Sequence, residues 1–370
     1  MSGIKPLIVA DENIPMLETL LGEHARIRFL PGREIAATDL HEAKALLVRS
    51  VTRVNQQLLC DSRPVFIGTC TIGTDHIDLP LLDQYGIRFA YAPGCNAAAV
   101  VDYVLTAMLA INPSIDHWRS KKVGIVGLGE VGGRLQQRLA GLSIESRAYD
   151  PFKSEAKNTF SEVLDCDVIS LHVPLTMQGE YKTWHLFSDS ELEYIRPGTL
   201  LINTSRGKVL DNMALMAHLK KKQLYTVLDV YEQEPEPCET LLASVDIATS
   251  HIAGYSLQGK IRGTLQVVKE LVDCLDLRLN LPDLLSRERK MLLLDEQATA
   301  VDVVRQVYDI QHDARDFVDY YLPAHRQGQG AGAFDAWRKH YKNRYEFSFV
   351  DINGSCKQLQ LLQELGFACR

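Results

Sequence analysis

The sequence predicts an α/β protein: a doubly wound parallel-sheet domain, a second α/β domain ahead of it, and a small α+β unit at the C-terminus. Three observations carry this reading. Short apolar runs alternate with helical stretches in two separate sets. A G-x-G-x-x-G run stands between one of these apolar runs and a helix. Beyond Leu281-Pro282 the texture changes and the alternation stops.

In the first set, Leu7–Ala10, Ile27–Leu30, Ala45–Val48, Val65–Gly68 and Ile87–Ala90 read as strands bounded by Asp, Gly and Pro, with helical character at Ile14–Gly22 and Leu40–Ala43. Pro93-Gly94 punctuates the chain, and Asn96–Ile111 reads as one long, mostly apolar helix. Asn112-Pro113 stops it, because the residue before proline avoids the helical region, and a domain boundary falls near here. In the second set the strands are Lys122–Val126, Glu145–Tyr149, Val168–Val173, Thr199–Asn203, Thr226–Val230 and Asp246–Thr249, with helices at Gly132–Leu142, Ser188–Tyr194 and Met213–Lys221. Six strands in βα alternation match the size of a dinucleotide-binding domain. Gln258–Leu277 reads as another long helix. In the tail, Val301–Ile310 has helical spacing, Pro323–Ala333 reads as a Gly-rich loop, Tyr345–Val350 alternates like a strand and Gln358–Leu365 is amphipathic. The tail carries no recognisable chemistry, so an assembly role is expected of it.

Composition narrows the class. A chain of 370 residues is too long for one ordinary core, and 46% hydrophobic with 24% charged residues is the balance of a soluble globular protein. A net charge of −7 argues against nucleic acid as the main partner but leaves room for a local basic pocket. The longest apolar stretch, Ala97 to Ile111, is cut by Asp102 and is too short to span a bilayer, and the N-terminus reads as no export signal. Eight cysteines (60, 70, 95, 166, 238, 274, 356 and 369) form no C-x-x-C pair, which predicts reduced thiols in a cytoplasm and no metal site.

The glycine run is Gly127-Leu-Gly129-Glu-Val-Gly132. Its first glycine permits the tight turn, its second lets the backbone approach a pyrophosphate, and its third lets helix and strand pack closely. Asp150 ends the next strand, eighteen residues past Gly132, where a carboxylate accepts both ribose hydroxyls and repels a 2′-phosphate, selecting NAD over NADP. The same Asp would also serve to open an Asp-Pro turn. Three further runs close predicted strands: Asn203-Thr-Ser-Arg206-Gly207, Asp229-Val-Tyr-Glu232-Gln-Glu234-Pro235 and Thr249-Ser-His251-Ile-Ala-Gly254-Tyr255. Carboxyl ends of strands are where open α/β sheets bind ligands. Arg206 can clamp a carboxylate through two parallel N–H bonds, His251 can take a hydroxyl proton, and Glu234 can orient and charge-stabilise that imidazole, with Glu232 competing for the acid role. The spacing of 28 residues from Arg206 to Glu234 and 17 more to His251 makes the three persuasive as a set.

These runs, with His172-Val-Pro174-Leu-Thr, resemble the D-2-hydroxyacid dehydrogenase family. The resemblance implies NAD-dependent oxidation of a 2-hydroxyl, with Arg206 and Glu234 in the active site and His251 as proton donor or acceptor. Gly127, Gly129, Gly132, Asp150, Thr204, Ser205, Arg206, Asp229 and Gly254 would line the NAD. Val173 stands where the family often has a small polar residue, which leaves only a backbone contact there. The fold implied is a flavodoxin-like substrate domain over 1–95 and 253–281, an NAD-binding domain over 96–252, and a C-terminal dimerisation domain over 282–370. Val48-Arg-Ser50-Val-Thr-Arg, Gly68-Thr-Cys-Thr71-Ile-Gly-Thr and Tyr255-Ser-Leu-Gln-Gly-Lys260 resemble family members acting on a phosphorylated polyhydroxy acid. That implies Ser50, Thr71 and Tyr255 on the substrate of a homodimer, Cys70 as a buried filler, and cations for a phosphate among Arg49, Arg53, Lys260, Arg338 and Arg344. A rival inside the family is a 3-phosphoglycerate dehydrogenase, whose regulatory tail should show a repeating βαβ pattern. A rival of another class is a non-catalytic NAD-sensing protein of the corepressor kind, against which the complete Arg–Glu–His set argues.

Overall fold

The computed structural model describes residues 5–294, 297–353 and 358–369. Chain packing divides it into two units, one of Met1–Asn96 with Ser256–Arg289 and one of Ala97–Tyr255 with Lys290–Arg370.

The first unit is a five-stranded parallel sheet of β1 (Leu7–Asp11), β2 (Arg26–Leu30), β3 (Ala43–Val48), β4 (Phe66–Thr69) and β5 (Arg88–Ala90), in the order β2-β1-β3-β4-β5. This is the flavodoxin-like order expected. Its central strands are buried on both faces, so their apolar runs are continuous, as in sheets with helices on each side. Part of the cover comes from far along the chain. The Leu257–Cys274 helix sets Ile261, Val267, Val268 and Leu271 against Ile8, Leu47 and Phe66.

The second unit holds β6 (Lys122–Val126), β7 (Glu145–Tyr149), β8 (Val168–Leu171), β9 (Leu200–Asn203), β10 (Tyr225–Leu228) and β11 (Ile247–Ala248), all parallel, in the order β11-β10-β9-β8-β6-β7. Strand order reverses between β6 and β8, and the glycine run follows β6 at that switch point. The Ala97–Ile111 helix is buried over most of its circumference, which explains its uninterrupted apolar reading.

The C-terminal stretch forms β12 (Lys290–Leu293), β13 (Val350–Asn353) and β14 (Ala368–Cys369), a three-stranded parallel sheet in chain order, with helices Ala300–Val307, Ile310–Arg326, Gly330–Lys339 and Leu359–Leu365. It packs into the same unit as the dinucleotide fold: Val303, Val304, Ile310, Phe347 and Val350 share one buried cluster with Val104, Ile125 and Leu139. The apolar surface that suggested an assembly role is therefore spent within the chain.

Three expectations are corrected. Residues 323–333 are not a Gly-rich loop. Pro323 lies inside the Ile310–Arg326 helix, held by buried Phe317 and Tyr321, and only 327–329 separate it from the next helix. Gly328, at φ +74°, ends the first helix with Gly328 N–H on the His325 carbonyl and Gln329 N–H on that of Ala324, the paired bonds of a Schellman turn. Tyr345–Val350 is not a strand. Phe347 N–H turns to Asp102 Oδ2 at 2.9 Å, Phe347–Phe349 form a 3-10 turn, and the strand begins at Val350. Leu40–Ala43 is not helical as a whole, because a 3-10 turn closes at Leu40 and Ala43 already opens β3.

The Asp102 contact ties the tail to the long helix and has a pH signature. Burial pushes the Asp102 carboxyl up to about 7, with Glu346 adding to the effect and Phe347 N–H, Arg138 and Arg344 opposing it. A carboxyl whose folded value is raised favours the protonated folded state, so stability is full below about pH 4 and falls as pH rises toward 7, by on the order of 2–4 kcal/mol. Asp102→Asn keeps an acceptor for Phe347 and removes this loss. Its apparent Tm should therefore gain on wild type at pH 8 and lose that gain at pH 4; an equal difference at both pH values would refute the assignment.

Candidate active site

The candidate cofactor cradle lies at the ends of β6 to β9. Gly127 adopts φ +92°, open to glycine at little strain, and a Cβ there would meet the His172 carbonyl at 2.7 Å. A Cβ at Gly132 would collide with the Gly127 carbonyl, whereas one at Gly129 would meet nothing within 4 Å. The first and third glycines thus serve packing, and the second leaves an open face. Gly129 is the N-cap of the Glu130–Gly141 helix and has no side-chain cap, so that helix end presents N–H groups and partial positive charge to an anion. Asp150 accepts from Leu128 N–H (2.8 Å) and Phe152 N–H (3.0 Å), which fixes its carboxylate and leaves acceptor capacity for ribose hydroxyls. The donor set and open face fit a dinucleotide.

His172, quoted from the sequence only as part of a run, has a structural part here. Its Nε2 pairs with Ser170 Oγ (2.9 Å) and its Nδ1 with Thr204 Oγ1 (3.4 Å). Burial pushes its imidazole down to about 3, so it is a neutral brace. Asn203, buried, receives Ser205 N–H (3.0 Å) and Ser205 Oγ–H (2.8 Å) on Oδ1 and gives Nδ2 to the Arg206 carbonyl (3.1 Å). Gly207 explains how the Arg206 loop meets the next one. A Cβ there would run into the backbone of Tyr231 and Glu232, so only glycine lets the β9 loop lie on the β10 loop.

The β10 loop separates the two competing acids. Glu232 Oε2 accepts from Asn212 N–H (3.1 Å), and its Oε1 pairs with His185 Nε2. Glu234 accepts from Tyr231 N–H on Oε1 (2.9 Å) and pairs through Oε2 with His251 Nδ1 at 2.8 Å. Glu234 is thus the acid set against His251. Burial acts to raise its carboxyl, but the His251 charge and hydrogen bond, the Arg338 charge and Tyr231 N–H outweigh it and hold the group below the usual carboxylate range. It stays ionised at neutral pH.

His251 itself sits at φ +59°, a left-handed conformation that a non-glycine residue keeps only when its surroundings fix it, at about 1–3 kcal/mol. Asp229 does the fixing. Its carbonyl accepts His251 N–H (2.7 Å), Oδ1 accepts Thr249 Oγ1 (2.6 Å) and Ile252 N–H (2.8 Å), and Oδ2 accepts Ala253 N–H (2.8 Å). Tyr103 Oη, from the long helix, bonds Thr249 Oγ1 at 2.6 Å behind it.

Among the remaining candidates, Tyr255 closes this loop and its hydroxyl receives Arg338 Nη2 at 2.8 Å. Arg344 is buried, gives Nη2 to the carbonyls of Ala99 and Ala253, and stacks over Tyr308 at 4.3 Å, so it is a structural cation. In the other unit, Ser50 is exposed in the turn after β3, and Thr71 follows β4 with its hydroxyl on Thr69 Oγ1 (2.8 Å) and the Gly73 carbonyl (3.0 Å). Burial pushes the Cys70 thiol up to about 12, which suits a filler and not a nucleophile.

Relatives match this chain over nearly its full length. An erythronate-4-phosphate dehydrogenase of Pseudomonas putida strain F1 is 43% identical, covering 97% of this chain and 99% of its own, and one of Klebsiella pneumoniae strain 342 is 42% identical over 97% of both. The chain belongs to the erythronate-4-phosphate dehydrogenase family. The family model described as D-isomer specific 2-hydroxyacid dehydrogenase, NAD binding domain, matches residues 110–253, and the chain is an NAD-dependent dehydrogenase of that class. A second model, described as a domain of unknown function, matches 286–366. A D-lactate dehydrogenase from Aquifex aeolicus, solved with NAD and lactic acid, shares the family's fold at TM-score 0.63 and 22% identity, over 73% of this chain and 95% of that one.

If Asp229 and Gly207 place the family's loops, small changes there should be severe. Asp229→Asn turns a donor toward Ile252 or Ala253 N–H and should lose about 1–3 kcal/mol of stability with most of the turnover. Gly207→Ala should likewise depress turnover without touching the glycine run. Urea unfolding and initial rates check both; wild-type rates in either variant would show that the loops tolerate displacement.

Proposed function

We propose that this enzyme oxidises the C2 hydroxyl of 4-phospho-D-erythronate to (R)-3-hydroxy-2-oxo-4-phosphobutanoate, a step toward pyridoxal 5′-phosphate. The observation that carries the reading is the 2.8 Å pair of His251 Nδ1 and Glu234 Oε2 at the carboxyl edge of the second sheet, in a chain whose full-length relatives bear that enzyme's name.

Gly127, Gly129 and Gly132 would cradle the pyrophosphate and Asp150 the ribose, with Thr204, Arg206 and Gly254 lining the remainder. Ser205 and Asp229 spend their side chains inside the protein, so their part is to shape the loops that face the cofactor. When bound, NAD supplies the acceptor for the hydride of C2. Arg206 would hold the substrate carboxylate with two parallel N–H bonds, fixing which face of C2 is presented. Pairing Nδ1 with Glu234 leaves His251 Nε2 to take the hydroxyl proton, and the ionised Glu234 stabilises the imidazolium that forms. Ser50, Thr71 and Tyr255 supply hydroxyls suited to a polyhydroxy acid.

We further propose a homodimer in the cytoplasm. The edge strand β12 exposes Met291 (59%) and Leu293 (75%), an apolar edge that a second copy would cover. None of the seven described cysteines is in a disulfide, in keeping with a reducing compartment; Cys356 lies outside the described residues. Among the described residues no helix is long and apolar enough to cross a membrane.

The reading is tested by NAD reduction with 4-phospho-D-erythronate beside 3-phospho-D-glycerate and unphosphorylated D-hydroxy acids. Preference for another acid would sink the substrate assignment. His251→Ala should cut kcat about 10²–10⁴-fold and leave NAD binding intact. Glu234→Gln keeps the shape of the pair and removes the charge that stabilises the imidazolium, so kcat should fall while NAD affinity holds; an unchanged kcat would remove Glu234 from the proton path.

Cofactor choice gives a separate check. Asp150→Ala should weaken NAD by about 1–3 kcal/mol and narrow the gap to NADP, whereas equal use of both cofactors by wild type would discard the role given to Asp150.

A further inference from the structure

The C-terminal stretch matches a domain of unknown function, yet its helices grip the loop that carries Glu234. Tyr321 Oη donates to the Pro237 carbonyl (3.0 Å), and Arg326 Nε reaches Glu239 at 3.1 Å. The next helix begins against the same loop, with Ala331 N–H on Glu236 Oε1 (3.3 Å); a Cβ on Gly330 would stand 3.3 Å from that oxygen and 3.1 Å from Tyr321 Oη. At its far end this helix carries Arg338. The guanidinium gives Nη2 to Tyr255 Oη at 2.8 Å and lies 5.1 Å from the Tyr255 ring and 5.8 Å from that of Phe334. Its Nε is buried and makes no hydrogen bond among the described residues.

A half-buried guanidinium whose Nε is shut off from water is costly unless negative charge faces it. Glu234, Asp229 and Asp335 supply that charge, and His251, Tyr231, Tyr255, Tyr321 and Tyr341 are the titratable groups packed around them. Because the Tyr255 oxygen accepts from Arg338, its own O–H points away from the guanidinium and acts as a donor.

We propose that Arg338 is a positioning residue for the reaction: it fixes Tyr255 as a hydrogen-bond donor and stands as the permanent cation beside the Glu234–His251 pair, so the C-terminal segment completes the site of its own chain. This rests on the acid–base reading of that pair. Loss of the cation lets burial lift the Glu234 carboxyl, and loss of the bond frees the Tyr255 hydroxyl to rotate.

The test uses full-length wild type, Arg338→Met, Arg338→Lys, Tyr255→Phe and the Arg338→Met/Tyr255→Phe double variant. In Arg338→Met, kcat/KM for 4-phospho-D-erythronate should fall about 10- to 100-fold, the usual worth of a charged hydrogen bond, with NAD affinity within about twofold. Arg338→Lys should recover part of the loss, and the double variant should be little worse than the worse single one. By ¹³C NMR the Glu234 carboxyl should titrate at higher pH in Arg338→Met and stay in place in Tyr255→Phe. Wild-type kcat/KM with an unmoved Glu234 titration, or losses that multiply in the double variant, would overturn the proposal. Should Arg338→Met lose NAD binding, Arg338→Lys and Tyr255→Phe carry the test alone. If wild type prefers a different hydroxy acid, the substrate reading fails while the Glu234 titration still decides the role of Arg338.

Discussion

Asp229 brings a carboxyl to a place that is 1% exposed and spends it on three donors, the hydroxyl of Thr249 and the N–H groups of Ile252 and Ala253. Burial pushes this carboxyl up, and the His251 charge and those donors work against the push. What they hold is a residue that would not stay there unaided, since His251 has a left-handed backbone. The restraint runs further back, from Asp229 through Thr249 to Tyr103 on the long buried helix. A chain of bonds in a dry interior is stiffer than its members apart. The geometry between His251 and Glu234 is thus inherited from the core and not left to the loops.

Much of this was legible in the sequence, and what was not has physical reasons. Strands such as Lys122–Val126 and Glu145–Tyr149 were readable to the residue, because turn chemistry bounds them and the glycine run punctuates one end. Spacing alone left Glu232 and Glu234 equivalent. Their separation depends on Asn212 and His185, which lie far off in sequence and draw Glu232 away. Gly207 read as the end of a motif, and its need for no side chain appears only when the Tyr231 backbone is laid against it. Pro323 signalled a loop because local preference treats proline as a stop, but buried Phe317 and Tyr321 hold the helix around it.

The tail shows what amphipathicity specifies and what it leaves open. Its apolar helix did need a partner, and found one in the dinucleotide unit, where Val303 and Val304 join Val104 and Leu139. Hydrophobic pattern states that a face will be covered and is silent on which chain covers it. The buried Asp102–Phe347 bond and the carbonyls gathered by Arg344 add polar register to that packing. Together they make the last eighty or so residues part of the body that presents the loops of Glu234 and His251.

The interrupted course of the first unit bears on the order of events at the ribosome. Its sheet is complete once Ala90 has emerged, but the Leu257–Cys274 helix that covers Ile8, Leu47 and Phe66 is still unsynthesised. At roughly 5–20 residues per second, about 10–30 s of translation separate the two. During that interval the sheet face has only part of its intramolecular cover, from the Leu17–Leu21 helix, while the intervening residues can already begin to assemble their own six strands. The first unit, begun first, therefore stays unfinished until the chain has passed residue 274, and the second waits longer still for its C-terminal stretch.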